Sequence, residues 1–546
     1  MSKESVINAA SNQNNNKVKI MRNFHLPGRS PVFASNAMCA TSNPLACKVA
    51  LSILEAGGNA VDAAIAGAVL LGLCEPQMTG IGGDCFVLLK PKNSEKIIAL
   101  NGSGKSPKSL TPQKLTSKGL TVVPTGTADA VTIPGAIDAF CRLSKDYGNI
   151  GMAETLKPAI YYAEAGVPVG PRTSFDWEKN EQNLQGIAKE FYLLNGQAPK
   201  PGQMFKAPKQ AEILSKISKG GREAFYEGEV AEDMVNSLSQ LGGSHTLDDF
   251  SSTKCEYTNP ISGFYKGIEL VEHPPNGHGA TAILMNNILK SFDISSMDPF
   301  GSQRVHIEAE AAKLAYDARN RFLADADYVT RLEHMLSNDT ANALAKLINP
   351  NKAINSPSSV SEQVHKDTIY LTVVDKDHMA VSLIYSIFQS FGSGIASEKY
   401  GILFQNRGSG FNLTEGHPNE IGGNKRPMHT IIPGMIKQNE KVIMPFGVMG
   451  GAYQPNGHSR FISNFVDYEM DPQTSIDGPR SFSDQGDMKI EKGYGKNIYS
   501  ELEDLGHKVS IPIEPIGGAQ AILIDHEKGV LQGGSDPRKD GCALGY

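Results

Sequence analysis

The sequence predicts a mixed α/β protein, and three observations carry that prediction. Helix signals crowd its first two thirds. Strand signals rich in β-branched and aromatic residues take over after residue 367. A polar segment separates the two textures. At 546 residues the chain could hold three or four domains, by a prior of roughly 150 residues each, or one large α/β unit.

The elements follow in order. Residues 1 to about 30 read as a polar, disordered tail without an apolar core of signal-peptide length. Pro44 to Ala56 reads as a helix: Asn43 can cap it, Pro44 suits its first turn, and Gly57-Gly58 stops it. Ala60 to Leu73 is apolar nearly all round and predicts a deeply buried helix. Gln77 to Asp84 reads as a turn into strand Cys85–Lys90, with a further strand at Lys96–Leu100. Residues 150–250 and 300–348 read as mostly helical. The polar Glu178–Gln185 stretch is expected at the surface, and Glu308, Glu310, Lys313, Asp317 and Arg321 form a charged helix face. Residues 350–366 have the Ser/Pro composition of an exposed, flexible segment. Thr368–Val374, the turn Asp375–His378 and Met379–Tyr385 then form a predicted hairpin. Strands are expected at Gly401–Gln405, Ile431–Ile436, Val442–Phe446 and Ala519–Ile524.

Several function classes are disfavoured. The net charge of -6 and the lack of a long Lys/Arg run argue against a nucleic-acid partner. The longest apolar run, Ala63 to Cys74, is too short to span a bilayer. Seven scattered cysteines without a CxxC pair suggest reduced thiols, and a cytoplasmic protein is expected. No cofactor is expected. No metal is expected either: His365, His378, His429 and His458 lack metal spacing and read as surface or core histidines. Thr79-Gly-Ile-Gly-Gly-Asp84 precedes a strand, whereas a dinucleotide loop follows one. Gly102-Ser-Gly-Lys-Ser106 lacks the first glycine of a Walker loop, because Ala99 stands there.

Two features could carry chemistry. Cleavage before Thr368 would give it a free α-amine of pKa about 7.7–8.0, so one residue would supply both nucleophile and base. By pattern alone, however, Thr368 reads as an ordinary strand residue, because strands rich in Thr are common. Gly447-Val-Met-Gly-Gly-Ala452 follows a strand, and its adjacent glycines could turn N–H groups toward an oxyanion or simply form a tight turn.

An ordered set of segments then resembles the γ-glutamyltransferase (γ-glutamyltranspeptidase) family of N-terminal nucleophile hydrolases. These are Leu54-Glu-Ala-Gly-Gly-Asn-Ala-Val-Asp-Ala-Ala64, Gly80-Ile-Gly-Gly-Asp84, Thr132-Ile-Pro-Gly135, Asp367-Thr368, Phe391-Gly-Ser-Gly394, Asn424-Lys-Arg-Pro427, Gly450-Gly451 and Ser535-Asp-Pro-Arg538. The resemblance covers about residue 35 to the C-terminus. It implies a four-layer αββα sandwich made by autocleavage at Asp367/Thr368, with a large subunit region 31–367 and a small one 368–546 held as a heterodimer. Thr368 would form an acyl-enzyme, the Ser386 hydroxyl would support it, and Gly450 and Gly451 would form the oxyanion hole. Water or an amine would then accept the acyl group of a small amide substrate.

The departures concern the substrate grip. Ser103 stands where the family has an arginine for the glutamyl α-carboxylate, with Lys105 nearby but not aligned. His429-Thr430 replaces a Ser-Ser pair, and Phe388 replaces an asparagine. Arg407 and Gly410 replace the Gln and Asp that hold the α-amine, and Phe411–Asn424 is too short for the usual lid. Arg407 either binds a substrate carboxylate from the opposite side or is a structural ion-pair residue. The expected activity is γ-glutamyl-like acyl hydrolysis or transfer. The alternatives are an amidohydrolase of oxamate or of glutaryl/cephalosporin-type amides and, third, an uncleaved binding protein.

Overall fold

The computed structural model describes residues 22, 24–25, 28–354, 368–484 and 486–546. Most of the predicted tail, residues 355–366 of the predicted linker, and Asp367 lie outside them.

Two seven-stranded sheets, antiparallel throughout, organise the chain. The first runs in the order Cys542–Gly545, Met38–Thr41, Ile369–Val374, Ala380–Ser386, Asp84–Lys90, Ile98–Gly102 and Glu256–Thr258. The second runs Val32–Ala34, Val530–Ser535, Gly518–Asp525, Lys441–Met449, Gly434–Gln438, Ile268–Glu272 and Ile261–Tyr265. Each sheet draws strands from both sides of position 367.

Side-chain parity divides the layers, since alternate strand residues face opposite ways. Leu371 and Val373 pack outward against helices Pro44–Glu55 and Ala60–Cys74. Tyr370 and Val374 face inward to meet residues of the second sheet, including Met449 and Val442. The second sheet's outer face, with Leu270, Ile436 and Met444, is covered by helices Gly279–Leu289, Ser302–Phe322 and Gln454–Asp467. This is the four-layer αββα arrangement that the resemblance implies.

Local signals explain the first two helices. Asn43 caps Pro44–Glu55 through its side chain. Asn59 and Asp62 form a reciprocal capping box on Ala60–Cys74, whose fifteen residues are all buried. That full burial follows from an apolar surface with no polar stripe to turn outward. Among the described residues no helix is long and apolar enough to cross a membrane.

Some expectations need correction. Gly401–Gln405 is not a strand. It folds back on the preceding loop, with Phe404 N donating to Ile395 O and Gln405 N to Gly82 O. The charged face of helix Ser302–Phe322 is only partly a surface: Glu308 and Glu310 are buried. Glu308 accepts from Arg304 and from Arg460, so a carboxylate between two guanidiniums replaces its lost hydration. Gly447 lies within strand Lys441–Met449 rather than after it, which leaves Gly450–Gly451 as the turn.

Gly447 also marks a close approach of the two sheets, because a Cβ there would overlap the Tyr370 ring. We predict that Gly447→Ala lowers stability by about 1–3 kcal/mol, the usual cost of overpacking. Urea denaturation measures this, and an unchanged midpoint would show that the sheets part freely there.

Candidate functional site

Thr368 stands just ahead of strand Ile369–Val374 and is 2% exposed. The hairpin register pairs Ile369 with Tyr385, and the next strand pairs Ser386 with Asp84. By parity Thr368, Ser386 and Asp84 share the inward face with Tyr370, Ile384 and Phe86. Thr368 Oγ1 lies 3.3 Å from Ser386 Oγ.

Ser386 Oγ also accepts the N–H of Phe388 at 2.9 Å, and Arg407 Nη2 approaches it at 3.5 Å. Arg407 Nη1 donates to Thr430 Oγ1 at 2.9 Å, and the guanidinium lies 4.0 Å over the Phe388 ring. Phe388 has a φ of 79°, a left-handed conformation costly for a bulky residue. The Ser386 bond and the stacked guanidinium hold it there. Arg407 is fully buried, and among the described residues no carboxylate lies within ion-pair distance of it. Burial pushes its pKa down to about 9 while Asp84 pulls it up, so the guanidinium stays charged at neutral pH. Arg407 is thus a buried cation beside Thr368 that feels the Asp84 charge without a direct ion pair among the described residues.

Asp84 is the second buried charge. Its Oδ1 accepts from Gly104 N at 3.0 Å, Gly135 N at 3.2 Å and Gln405 Nε2 at 2.8 Å. Its Oδ2 accepts from His429 Nε2 at 3.2 Å. Burial raises its pKa to about 6, against the opposing pull of Arg407 and these donors. Burial, and then repulsion by Arg407, holds His429 well below the usual histidine range. The His429–Asp84 contact is thus a neutral N–H donating to a carboxylate, with Nδ1 accepting from Ile431 N at 3.4 Å.

Ser103 belongs to the same network at one remove. Its Oγ donates to Asn101 Oδ1 at 2.8 Å, and Asn276 Nδ2 donates to Ser103 Oγ at 3.2 Å. The Asn276 carbonyl in turn accepts the His429 N–H at 2.7 Å. The Ser103 hydroxyl is consequently engaged by two asparagine side chains.

Gly450 and Gly451 follow the second-sheet strand Lys441–Met449, which crosses the hairpin after Thr368. Phe446 O accepts from Ser382 Oγ at 3.2 Å, and Gly447 packs on Tyr370. Continuing in that direction leads toward the Thr368 end. Gly450 has φ 124° and Gly451 φ 55°, values that L side chains rarely adopt, so only glycine turns the N–H groups this way without strain.

Hydrogen bonds thus connect Thr368, Ser386, Arg407 and Thr430, with His429 and Ser103 in the adjoining Asp84–Asn276 network. Asp84, Gln405 and Asn276 carried no role in the sequence reading. One signal was available for Asp84: a lone carboxylate between a glycine turn and an apolar strand. Nothing local marks Asn276 or Gln405.

A profile of the gamma-glutamyltranspeptidase family matches residues 46–546. The chain belongs to the gamma-glutamyltranspeptidase family. It is 35% identical over 526 residues to the glutathione hydrolase-like YwrD proenzyme of Bacillus subtilis (strain 168), spanning 94% of this chain and 99% of that one. It is 30% identical over 531 residues to the oxamate amidohydrolase proenzyme of Klebsiella pneumoniae subsp. pneumoniae, spanning 94% and 99%. Its fold matches the cephalosporin acylase from Bacillus halodurans with a TM-score of 0.90 at 35% identity, covering 97% of this chain and 99% of that one. The chain is therefore an amidohydrolase or acyltransferase of this family.

Asp84→Ala removes the acceptor of four buried donors. We predict a loss of about 3–5 kcal/mol, the scale for breaking a buried charged network. Asp84→Asn keeps the oxygen that accepts three of the four and should lose less. Equal losses in urea denaturation would deny these bonds a structural role.

Proposed function

We propose that this family member is an autoprocessing threonine-nucleophile enzyme that cleaves an amide carrying an acidic acyl group. One observation carries the reading: the buried Thr368 hydroxyl, 3.3 Å from Ser386 Oγ, stands beside a buried guanidinium that makes no direct ion pair among the described residues. A buried cation is costly unless an anion compensates it. A substrate carboxylate on Arg407 would do so.

In the proposed chemistry, cleavage of the Asp367–Thr368 bond frees the Thr368 α-amine. That amine takes the hydroxyl proton as Oγ1 attacks the substrate carbonyl. N–H groups at Gly450–Gly451 stabilise the oxyanion. The amine returns the proton to the leaving nitrogen, and the acyl ester remains on Thr368. Water attacks next and gives hydrolysis, or an amine attacks and gives transfer. Ser386, bonded to both Thr368 and the Phe388 N–H, fixes the direction of the nucleophilic oxygen. Both sheets interleave strands from 31–367 and 368–546, which supports two cut chains that stay together as a heterodimer.

The acyl group favoured is a glutaryl- or oxamate-type acid over an unmodified γ-glutamyl group. Ser103 is committed to Asn101 and Asn276, and Gly410 offers no carboxylate to an α-ammonium. A substrate ammonium there would lack an acidic partner.

Processing is tested on a denaturing gel. Wild-type protein should resolve into fragments of roughly 39 and 19 kDa, by residue share of 58.7 kDa. Thr368→Ala should remain one band. A wild-type chain that stays whole after long incubation at neutral pH contradicts the proposal.

Specificity is tested by profiling glutaryl amides, oxamate and γ-glutamyl anilides on wild type and Arg407→Ala. A charged hydrogen bond worth ~1.5–3 kcal/mol predicts a loss of roughly 10- to 150-fold in kcat/KM on the acidic amide. No loss would return Arg407 to a structural role.

The α-amine must be neutral to act as base. The kcat/KM profile should rise with pH and level off above about 8. A profile that is flat or falls across this range would contradict the amine as base.

A further inference from the structure

The outer helical layer of the second sheet brings together three ligand-type side chains that no step at Thr368 uses. His306 and Glu310 lie one turn apart on helix Ser302–Phe322, and His507 follows the turn after helix Lys496–Asp504. All three are buried, and one ligand atom from each falls within 4.8 Å of the others. His306 Nδ1 lies 2.7 Å from His507 Nε2, and that nitrogen is 4.0 Å from Glu310 Oε1.

We propose that His306, Glu310 and His507 form a binding site for a divalent zinc-class cation. Two imidazoles and one carboxylate are the borderline donors that zinc takes, with water completing four-coordination. The surrounding bonds orient the ligands as outer-shell partners do. His306 Nε2 faces the Asn349 carbonyl at 2.8 Å, so that nitrogen carries the proton and Nδ1 presents its lone pair to the cluster. Glu310 Oε2 accepts Ile354 N at 2.6 Å, and Oε1 accepts Lys313 Nζ at 2.7 Å.

Without a metal, His507 Nε2–H can donate to His306 Nδ1. Binding moves that proton to His507 Nδ1, so no net proton transfer is required. The two nitrogens must separate from 2.7 Å to about 3.3 Å, the tetrahedral spacing for Zn–N bonds of about 2.0–2.1 Å.

The site would be a structural clip. It ties the long helix to the 507 turn and, through Asn349 and Ile354, to the chain that leads toward position 367. Ala353 N already donates to Leu505 O at 2.7 Å across the same junction. In a processed enzyme the ion would join two chains. That consequence rests on the cleavage proposed above, whereas metal binding does not.

The test uses untagged full-length protein, stripped with EDTA, reloaded with zinc and dialysed. Wild type should retain one zinc per chain, and the His306→Gln/His507→Gln variant should retain none. Cobalt should give wild type the intense visible absorption of a tetrahedral site. Zinc at a hundredfold over its Kd should raise Tm by about 2 °C, reversibly with EDTA. Lys313→Ala spares all three ligands and should still bind. Should the double variant misfold, Glu310→Gln takes its place in the same comparison. Equal retention by wild type and variants, or no cobalt band in wild type, reduces the cluster to a hydrogen-bonded imidazole pair and overturns the proposal. Fragment sizes on the gel report cleavage separately.

Discussion

Asp84 and Arg407 are both buried, close enough for each to shift the other's pKa, yet they do not form a direct ion pair. Placing two charges in a low-dielectric interior is favourable only if donors and acceptors replace their lost water. Asp84 meets that demand with two backbone N–H groups, an amide and an imidazole. Those four partners belong to distant stretches of chain. Satisfying one carboxylate therefore fixes the 102–104 loop, the start of helix Ala136–Tyr147, the 405 loop and the 429 segment together. Arg407 lacks an equivalent set. Its contacts among the described residues are Thr430, Ser386 and an aromatic face, none of them an anion. The asymmetry separates a fully hydrogen-bonded charge from a sparsely partnered one, which is the basis for proposing Arg407 as a ligand contact.

The sheet register makes the rest of the site follow. Ser386 faces Asp84 across one pair of strands, and Thr368 precedes the strand on the other side of the hairpin. A slip of one residue in either pairing would turn these hydroxyls toward the helices. The apolar alternation prevents it: Leu371, Val373, Val381 and Leu383 must face the helices, so Tyr370, Ser382 and Ile384 face inward. Hydrophobic patterning of the hairpin thus sets the direction of the polar groups at its end.

Much of this fold was legible in the sequence where local physics dominates. The two N-terminal helices show their caps, stops and apolar faces, and the hairpin after Thr368 shows its β-branched run and Asp-containing turn. The short strands Met38–Thr41 and Glu256–Thr258 were not legible, because pairing with distant strands, rather than their own pattern, makes them strands. Gly401–Gln405 was misread for the complementary reason: its residues favour a strand, but its backbone bonds are consumed by the loop around Gly392 and Gly394. Helix Ser302–Phe322 looked solvent-facing because charge usually is, and only the fold reveals that Arg460 lies against Glu308. Among the site residues, Thr368 and the glycine pair stood out through motif order. Asp84, Asn276 and the His306–His507 contact depend on separations of 175 to 345 residues that no local window spans.

The substrate grip is where family likeness and local chemistry part. Relatives at similar identity carry the names glutathione hydrolase-like, oxamate amidohydrolase and cephalosporin acylase, so likeness alone does not choose among acyl groups. The proposed acyl preference rests instead on the residues around Thr368. An arginine at position 103 would recognise a carboxylate with a planar fork, but Ser103 is bound within an asparagine network. The positive charge has instead moved to Arg407, on the loop that also supplies Gln405 to Asp84. A cation there and no carboxylate at position 410 suit an acyl group with an anion and no ammonium. In the proposed reading the hydroxyls and glycines serve any amide carbonyl, and the position of one guanidinium selects among acids.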